Sequence, residues 1–169
     1  MAVRVAIAFG ANTGDRAGQI AKAIEILRQE LDVLAVSPLY ETAPMYVQDQ
    51  PAFLNGAVLA ETVLGPLALL RLLKDTEARV GRQPQERNGP REIDLDLVAY
   101  GVLQLRSWGA RTLEVPHPRL SERRFVLQPL YDLDPAMLLP GLGTISALLQ
   151  ATEDQAATVK RFSDAALSL

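Results

Sequence analysis

The chain predicts an α+β fold in which helices pack on an antiparallel sheet in α-β-α layers. Three observations carry this prediction. Apolar residues alternate with the period of a strand from Val3 to Phe9, from Phe53 to Glu61 and from Glu92 to Tyr100. Two intervening stretches have the helical period instead, Ile20-Ala23-Ile24-Leu27-Leu31 and Leu69-Leu70-Leu73-Thr76-Val80. No long linker interrupts them, so the 169 residues are read as one domain, 1–169.

In order, Val3, Val5, Ile7 and Phe9 form a strand that ends in the turn Gly10-Ala11-Asn12-Thr13-Gly14. Asp15 then has the chemistry of an N-cap for the first helix. A second strand is expected within Asp32 to Tyr40, followed by a long ordered loop from Glu41 to Pro51, and loops of that length are often functional. After the third strand, Gly65-Pro66 opens the second helix, with proline where its missing N–H costs nothing. The polar segment from Gly81 to Pro90 leads into the fourth strand. Strand, helix, strand, strand, helix, strand is the order of a ferredoxin-like βαββαβ core. Beyond it, Ser121 is the expected cap of a helix running through Phe125 to Leu130, and a short helix is expected near Thr144 to Leu149.

The composition narrows the chemistry. With no cysteine, a metal must rest on carboxylates or on the single histidine, which favours hard ions. No stretch approaches the roughly 20 apolar residues of a membrane span, and the first residues lack the pattern of a signal peptide, so a cytoplasmic location is expected. A net charge of −3 speaks against a general nucleic-acid binder. Arginines nevertheless crowd the centre of the chain, either as a local anion site or as the solvated faces of an arginine-rich protein.

Strand periodicity puts Asp94 and Asp96 on one face, their Cα atoms ~7 Å apart. Two carboxylates so placed repel each other unless a cation lies between them, and magnesium is commonly held by one or two carboxylates plus substrate phosphates. Arg91 stands beside the pair, supplying the guanidinium that phosphoryl transfer also uses. Neutralising either aspartate is expected to relieve like-charge strain and so to hold or raise stability. Phe53 and Asn55 share a face at the start of their strand, a ring and an amide suited to a flat heterocycle. Glu77 falls on the apolar stripe of the second helix, where it either pairs with an arginine such as Arg82 or faces a ligand. The segment from Gly81 to Pro90, carrying Arg82 and Arg87, reads as a lid that grips phosphates. Neither a P-loop nor the protein-kinase motif set occurs.

Taken together, Phe9-Gly10-Ala11-Asn12, Thr42-Ala43-Pro44, Gln50-Pro51-Ala52-Phe53-Leu54-Asn55, Gly89-Pro90-Arg91-Glu92-Ile93-Asp94-Leu95-Asp96 and Val115-Pro116-His117-Pro118-Arg119 through Arg123-Arg124-Phe125 closely resemble the 6-hydroxymethyl-7,8-dihydropterin pyrophosphokinases of folate biosynthesis. The resemblance implies transfer of diphosphate from ATP to the hydroxymethyl group of the pterin, with release of AMP. It implies two magnesium ions on Asp94 and Asp96, with Arg82 and Arg91 at the transferring phosphates. Phe53 and Phe125 would sandwich the pterin, Asn55 and the backbone around Thr42 and Pro44 would read its edge, and Glu77, His117, Arg119 and Arg123 would border the nucleotide. Partners would be these small molecules alone, without nucleic acid or membrane, and the chain is expected to act as a monomer. Asn88 departs from relatives that carry a tryptophan there, and Glu92 stands where they carry a threonine. Two readings compete: a catalytically silent ferredoxin-like nucleotide-binding or interaction module, and an ordinary kinase that moves one phosphate and releases ADP.

Overall fold

The computed structural model of the protein describes residues 1–43, 49–82, 91–106 and 113–162. In chain order the elements are β1 (Val3–Ala11), α1 (Arg16–Glu30), β2 (Asp32–Val36), β3 (Tyr40–Thr42), β4 (Phe53–Thr62), α2 (Pro66–Val80), β5 (Asp94–Tyr100), α3 (Arg124–Leu133), β6 (Leu138–Leu139), β7 (Gly143–Thr144), α4 (Ile145–Ala151) and β8 (Val159–Arg161). The main sheet runs β5-β1-β4-β3-β8, with β2 also paired to β4, and its pairings are antiparallel. Taking β2 and β3 as one interrupted strand, the first four strands lie in the order of the expected ferredoxin-like core.

The interruption has a local cause. Pro38 has no N–H to give a ladder, and Ser37 serves instead as the junction. Its N–H donates to the Ala57 carbonyl and its Oγ accepts from the Ala57 N–H, both at 2.9 Å. β8 has no counterpart in the sequence reading, because three residues are too few to show a period. It is held by pairing with β3, Tyr40 opposite Arg161 and Thr42 opposite Val159.

Helix ends follow their local chemistry. Asp15 caps α1, its Oδ1 accepting from the Gly18 N–H at 3.2 Å. α2 has Pro66 at its start and ends at Gly81, whose φ of 119° lies in the left-handed region that favours glycine. The third helix differs from expectation. Ser121 lies inside a 3-10 turn, Leu120–Glu122, and α3 begins at Arg124 with Arg123 in the cap position. The cause is anchoring: the buried Arg124 donates to the Leu149 carbonyl at 2.9 Å and pairs with Glu153, while its own N–H donates to Gln155. These contacts with the end of α4 and the segment after it fix the first turn of α3.

β1 separates the two halves of the core by side-chain size. Its odd residues Val5, Ile7 and Phe9 are large and pack beneath α1 and α2 with Ile20, Ile24, Leu27, Leu69 and Leu73. Its even residues Ala6 and Ala8 are small and face α3 and α4 with Leu127, Leu130 and Ile145. Helices therefore cover both faces, giving the expected α-β-α layers. Among the described residues, no helix is long and apolar enough to cross a membrane.

Leu73 and Leu127 are fully buried on opposite faces of the sheet. Leu73→Ala and Leu127→Ala are each expected to cost about 2–5 kcal/mol, and the costs should add, since the two sites share no neighbours. Urea unfolding of the single and double variants checks this. A double variant losing clearly less than the summed single costs contradicts two independently packed layers.

Candidate active site

The antiparallel register builds the site. On β5 Asp94 lies opposite Gly10 of β1, Gly10 lies opposite Asn55 of β4, and Asn55 lies opposite Tyr40 of β3. One step along, Asp96 lies opposite Ala8, and Ala8 opposite Ala57. Directly opposed residues share a face of the sheet. The small side chains of Ala8 and Gly10 thus make a floor between two carboxylates and a carboxamide. A Cβ at Gly10 would sit 2.6 Å from Asn55 Oδ1, so glycine is required there for close approach.

Over this floor opens a cleft of about 100 Å³. Thr42, Phe53 and Asn55 line one side, Arg91, Asp94 and Asp96 the other, and Arg123 and Phe125 reach it from the start of α3. Asn55 Nδ2 donates to Thr42 Oγ1 at 2.6 Å, which fixes the buried amide. The Arg123 guanidinium lies 5.7 Å from the centre of the Phe125 ring, a cation–π contact that ties the charge to the aromatic wall.

The two aspartates differ. Asp94 Oδ1 accepts from Nη1 of both Arg82 and Arg91, each at 3.1 Å. Burial, and then the charge of Asp94, push the Asp96 carboxyl from an ordinary 3.8 up to about 7. The expectation that neutralising either residue holds or raises stability therefore divides. It stands for Asp96, whereas neutralising Asp94 removes the acceptor of two charge-assisted bonds. Among the described residues, no group of three or more His, Cys, Asp or Glu side chains could enclose a metal. A carboxylate pair open to a cleft, one member of it disfavouring its charge, fits a hard cation that takes its remaining oxygens from phosphate and water.

Glu77 takes the first of its two expected fates. Its buried carboxylate accepts from Arg82 Nη1 at 2.8 Å, and its Oε2 accepts from the Leu95 N–H at 2.7 Å. β5 is an edge of the sheet, so this N–H, between the two aspartates, points away from β1 and is satisfied by the carboxylate. Burial raises the Glu77 pKa, against the Leu95 N–H and the charges of Lys74 and Arg82. Glu77 therefore acts on the cleft through Arg82 and β5 rather than by lining it.

His117 and Arg119 do not line the cleft either. His117 borders a second groove with Arg106, Glu114 and the 140–142 turn. Burial, then Arg123, lowers its pKa to about 4, leaving a neutral ring whose Nδ1 accepts from the Arg119 N–H at 3.3 Å. The Arg119 side chain pairs with Glu122 at 3.7 Å. Glu92 precedes β5, and its carbonyl accepts from Gln19 Nε2 at 2.8 Å. Pro44 and Arg87, and with them residues 83–90 of the expected lid, lie outside the described residues. Sequence reasoning missed the floor, although the alternation of small Ala6, Ala8 and Gly10 with large neighbours on β1 carries that signal.

Residues 6–135 match the family described as 7,8-dihydro-6-hydroxymethylpterin-pyrophosphokinase (HPPK). The chain belongs to the HPPK family. It is 48% identical over 130 residues to the mitochondrial folate synthesis bifunctional protein of Pisum sativum, covering 76% of this chain and 25% of that one. With the 2-amino-4-hydroxy-6-hydroxymethyldihydropteridine pyrophosphokinase of Pseudomonas aeruginosa it shares 39% identity over 153 residues, 89% of this chain and 93% of the relative. The fold is that of a crystallised Plasmodium falciparum HPPK-DHPS variant with pteroate, at a TM-score of 0.78 and 15% identity, over 95% of this chain and 44% of that one. The chain thus spans about a quarter of the length of the pea relative and under half of the Plasmodium chain, but nearly all of the Pseudomonas one.

The raised Asp96 pKa makes a testable statement about this HPPK fold. Without metal or nucleotide, the folded protein holds the Asp96 proton more tightly than the unfolded chain, so wild type loses stability as pH climbs from about 4 to about 7. Asp96→Asn has no proton to lose. The variant is expected to be more stable than wild type at pH 8 by roughly 1–3 kcal/mol, with the gap closing below pH 5. His117 opposes this trend between 6.5 and about 4, but equally in both proteins, so it cancels in the difference. Chemical denaturation in chelator across this range checks it; a gap that ignores pH counts against it.

Proposed function

We propose that this HPPK-family chain transfers the β,γ-diphosphate of ATP to the hydroxymethyl oxygen of 6-hydroxymethyl-7,8-dihydropterin, releasing AMP, as a step of folate biosynthesis. The reading rests on one juxtaposition: an aromatic and amide wall suited to a flat heterocycle faces a carboxylate and arginine wall suited to polyphosphate, across a floor of Ala8 and Gly10.

The chain's own residues would do positioning and charge work. Phe53 and Phe125 flank the ring, while Asn55, oriented by Thr42, offers Oδ1 to a ring N–H. Arg91 and Arg123 enter the cleft, and Arg82 reaches it through Asp94, so guanidinium charge stands where phosphate oxygens would lie. Arg119, His117 and Arg87 are the proposed nucleotide border. Asp94 and Asp96 are the residues that would hold magnesium, two ions in this reading, which when bound with ATP neutralise phosphate charge and the charge gathering on the leaving group.

In the transfer, the hydroxymethyl oxygen forms a bond to the β-phosphorus, and the bond from that phosphorus to the oxygen bridging it to the α-phosphorus breaks. AMP leaves with the electron pair, and the hydroxyl proton passes to solvent or to a phosphate oxygen. No protein nucleophile is required, so catalysis lies in alignment and electrostatic stabilisation.

Chromatography of a quenched reaction of protein, magnesium, ATP and the pterin tests the reading. AMP formed only when pterin is present is the expected result. ADP would indicate the ordinary kinase, and unconsumed ATP under conditions where it demonstrably binds would indicate the silent module. A second expectation concerns the aromatic wall: Phe125→Ala should weaken pterin binding about tenfold, the worth of a lost aromatic contact of ~1.4 kcal/mol, and leave binding of an unreactive ATP analogue within about twofold. Calorimetric titration of each ligand alone decides it, and equal loss for both would remove Phe125 from the pterin side.

A further inference from the structure

We infer that Asn12 is a positioning residue that locks the pterin side of the cleft to its phosphate side. The inference rests on the pterin diphosphotransfer reading and assigns a role to a residue that does not itself line the cleft.

Asn12 follows β1 and is 1% exposed, a strongly polar side chain where only full hydrogen bonding makes burial tolerable. Its backbone N–H donates to the Arg91 carbonyl at 3.0 Å, and its Oδ1 accepts from the Arg91 N–H at 2.8 Å. Arg91 precedes β5 and has no ladder partner, so the carboxamide stands in for one and pins the main chain from which the Arg91 guanidinium reaches Asp94. Toward the other side, Asn12 Nδ2 donates to Gln50 Oε1 at 2.8 Å and to the Pro51 carbonyl at 3.0 Å. Gln50 lines the cleft, and Pro51 stands two residues before Phe53.

One buried amide thus spends its acceptor on the arginine that meets phosphate and both donors on the chain leading to the aromatic wall. Both neighbours lie outside regular structure, so the sheet does not fix their separation. Nearby, Gln19 Nε2 joins the Thr13 and Glu92 carbonyls, each at 2.8 Å, which braces the same turn. A bimolecular transfer is sensitive to such spacing, since a displacement of about 1 Å between reacting groups can lower a rate about 10²-fold.

Asn12→Asp separates the two links. It keeps an acceptor for the Arg91 N–H but turns a second carboxylate oxygen toward the Pro51 carbonyl, which can offer no proton. Gln50 can reverse its amide and donate; Pro51 cannot. With wild type established to form AMP from ATP in the presence of pterin, the single-turnover rate of Asn12→Asp is expected to fall about 10- to 100-fold. Affinities for pterin alone and for an unreactive magnesium–nucleotide alone should stay within about threefold, and the melting temperature within a few degrees. Asn12→Ala, which removes the side-chain bond to the Arg91 N–H as well as both bonds toward Gln50 and Pro51 and keeps only the backbone bond to Arg91, should fall further in rate than Asn12→Asp.

A rate for Asn12→Asp within threefold of wild type overturns the inference. So does a loss of single-substrate affinity matching the loss of rate, or a variant that no longer folds, either of which assigns Asn12 a plain structural role. Absence of AMP from wild type removes the proposed reaction and the positioning role with it, whereas AMP from wild type beside an unimpaired variant removes the positioning role alone.

Discussion

The site depends on one steric constraint: the side chains that β1 presents between β5 and β4 on the α3 face must be nearly absent. Ala8 and Gly10 occupy the two positions directly between the aspartates and the Asn55 row. A larger residue at either would fill the cleft from below, and at Gly10 a single added carbon already meets Asn55 Oδ1 at 2.6 Å. The opposite face of the same strand carries Val5, Ile7 and Phe9, which pack under α1 and α2. One nine-residue strand therefore supplies the bulk for one core layer and the vacancy for the site.

Electrostatics are arranged around that vacancy by a chain of charges rather than a symmetric pair. Glu77 holds Arg82, Arg82 and Arg91 hold Asp94, and Asp94 acts on Asp96, whose carboxyl is left with a pKa near neutrality. An ion pair holds Arg82 on Glu77, a shared acceptor oxygen joins the two arginines at Asp94, and burial, then the charge of Asp94, raises Asp96.

Much of this was legible in the sequence because it is local. The spacing of Asp94 and Asp96, the shared parity of Phe53 and Asn55, the Asp15 cap and the Gly65-Pro66 start of α2 all depend on residues within one turn or one strand of each other. What stayed hidden depends on distant partners. Arg91 and Asn12 are 79 positions apart, and Asn12 and Gln50 are 38 apart. The start of α3 is set by Arg124 reaching Leu149 in α4 and Glu153 just after it, which no cap rule applied to Ser121 can show. β8 exists because β3 offers it an edge. Glu77 sits between the two cases: its place on an apolar stripe marked it as unusual, but only the fold decides that it faces Arg82 and Leu95.

The carboxylate of Glu77 also bears on how the protein behaves in a crowd of its own copies. An outermost strand exposes N–H groups that invite pairing with a foreign strand, the first step toward sheet-to-sheet aggregation. At β5 the Leu95 N–H is already occupied, and by a buried charge that a stranger's carbonyl would have to displace. On the far side of the sheet, where β2 and β8 are both outermost, β8 is three residues long and carries the exposed Lys160 and Arg161, like charges that would face each other if two β8 strands paired. The contact that steadies the acidic strand for chemistry thereby also caps one of the N–H groups that its outer edge would offer to a foreign strand.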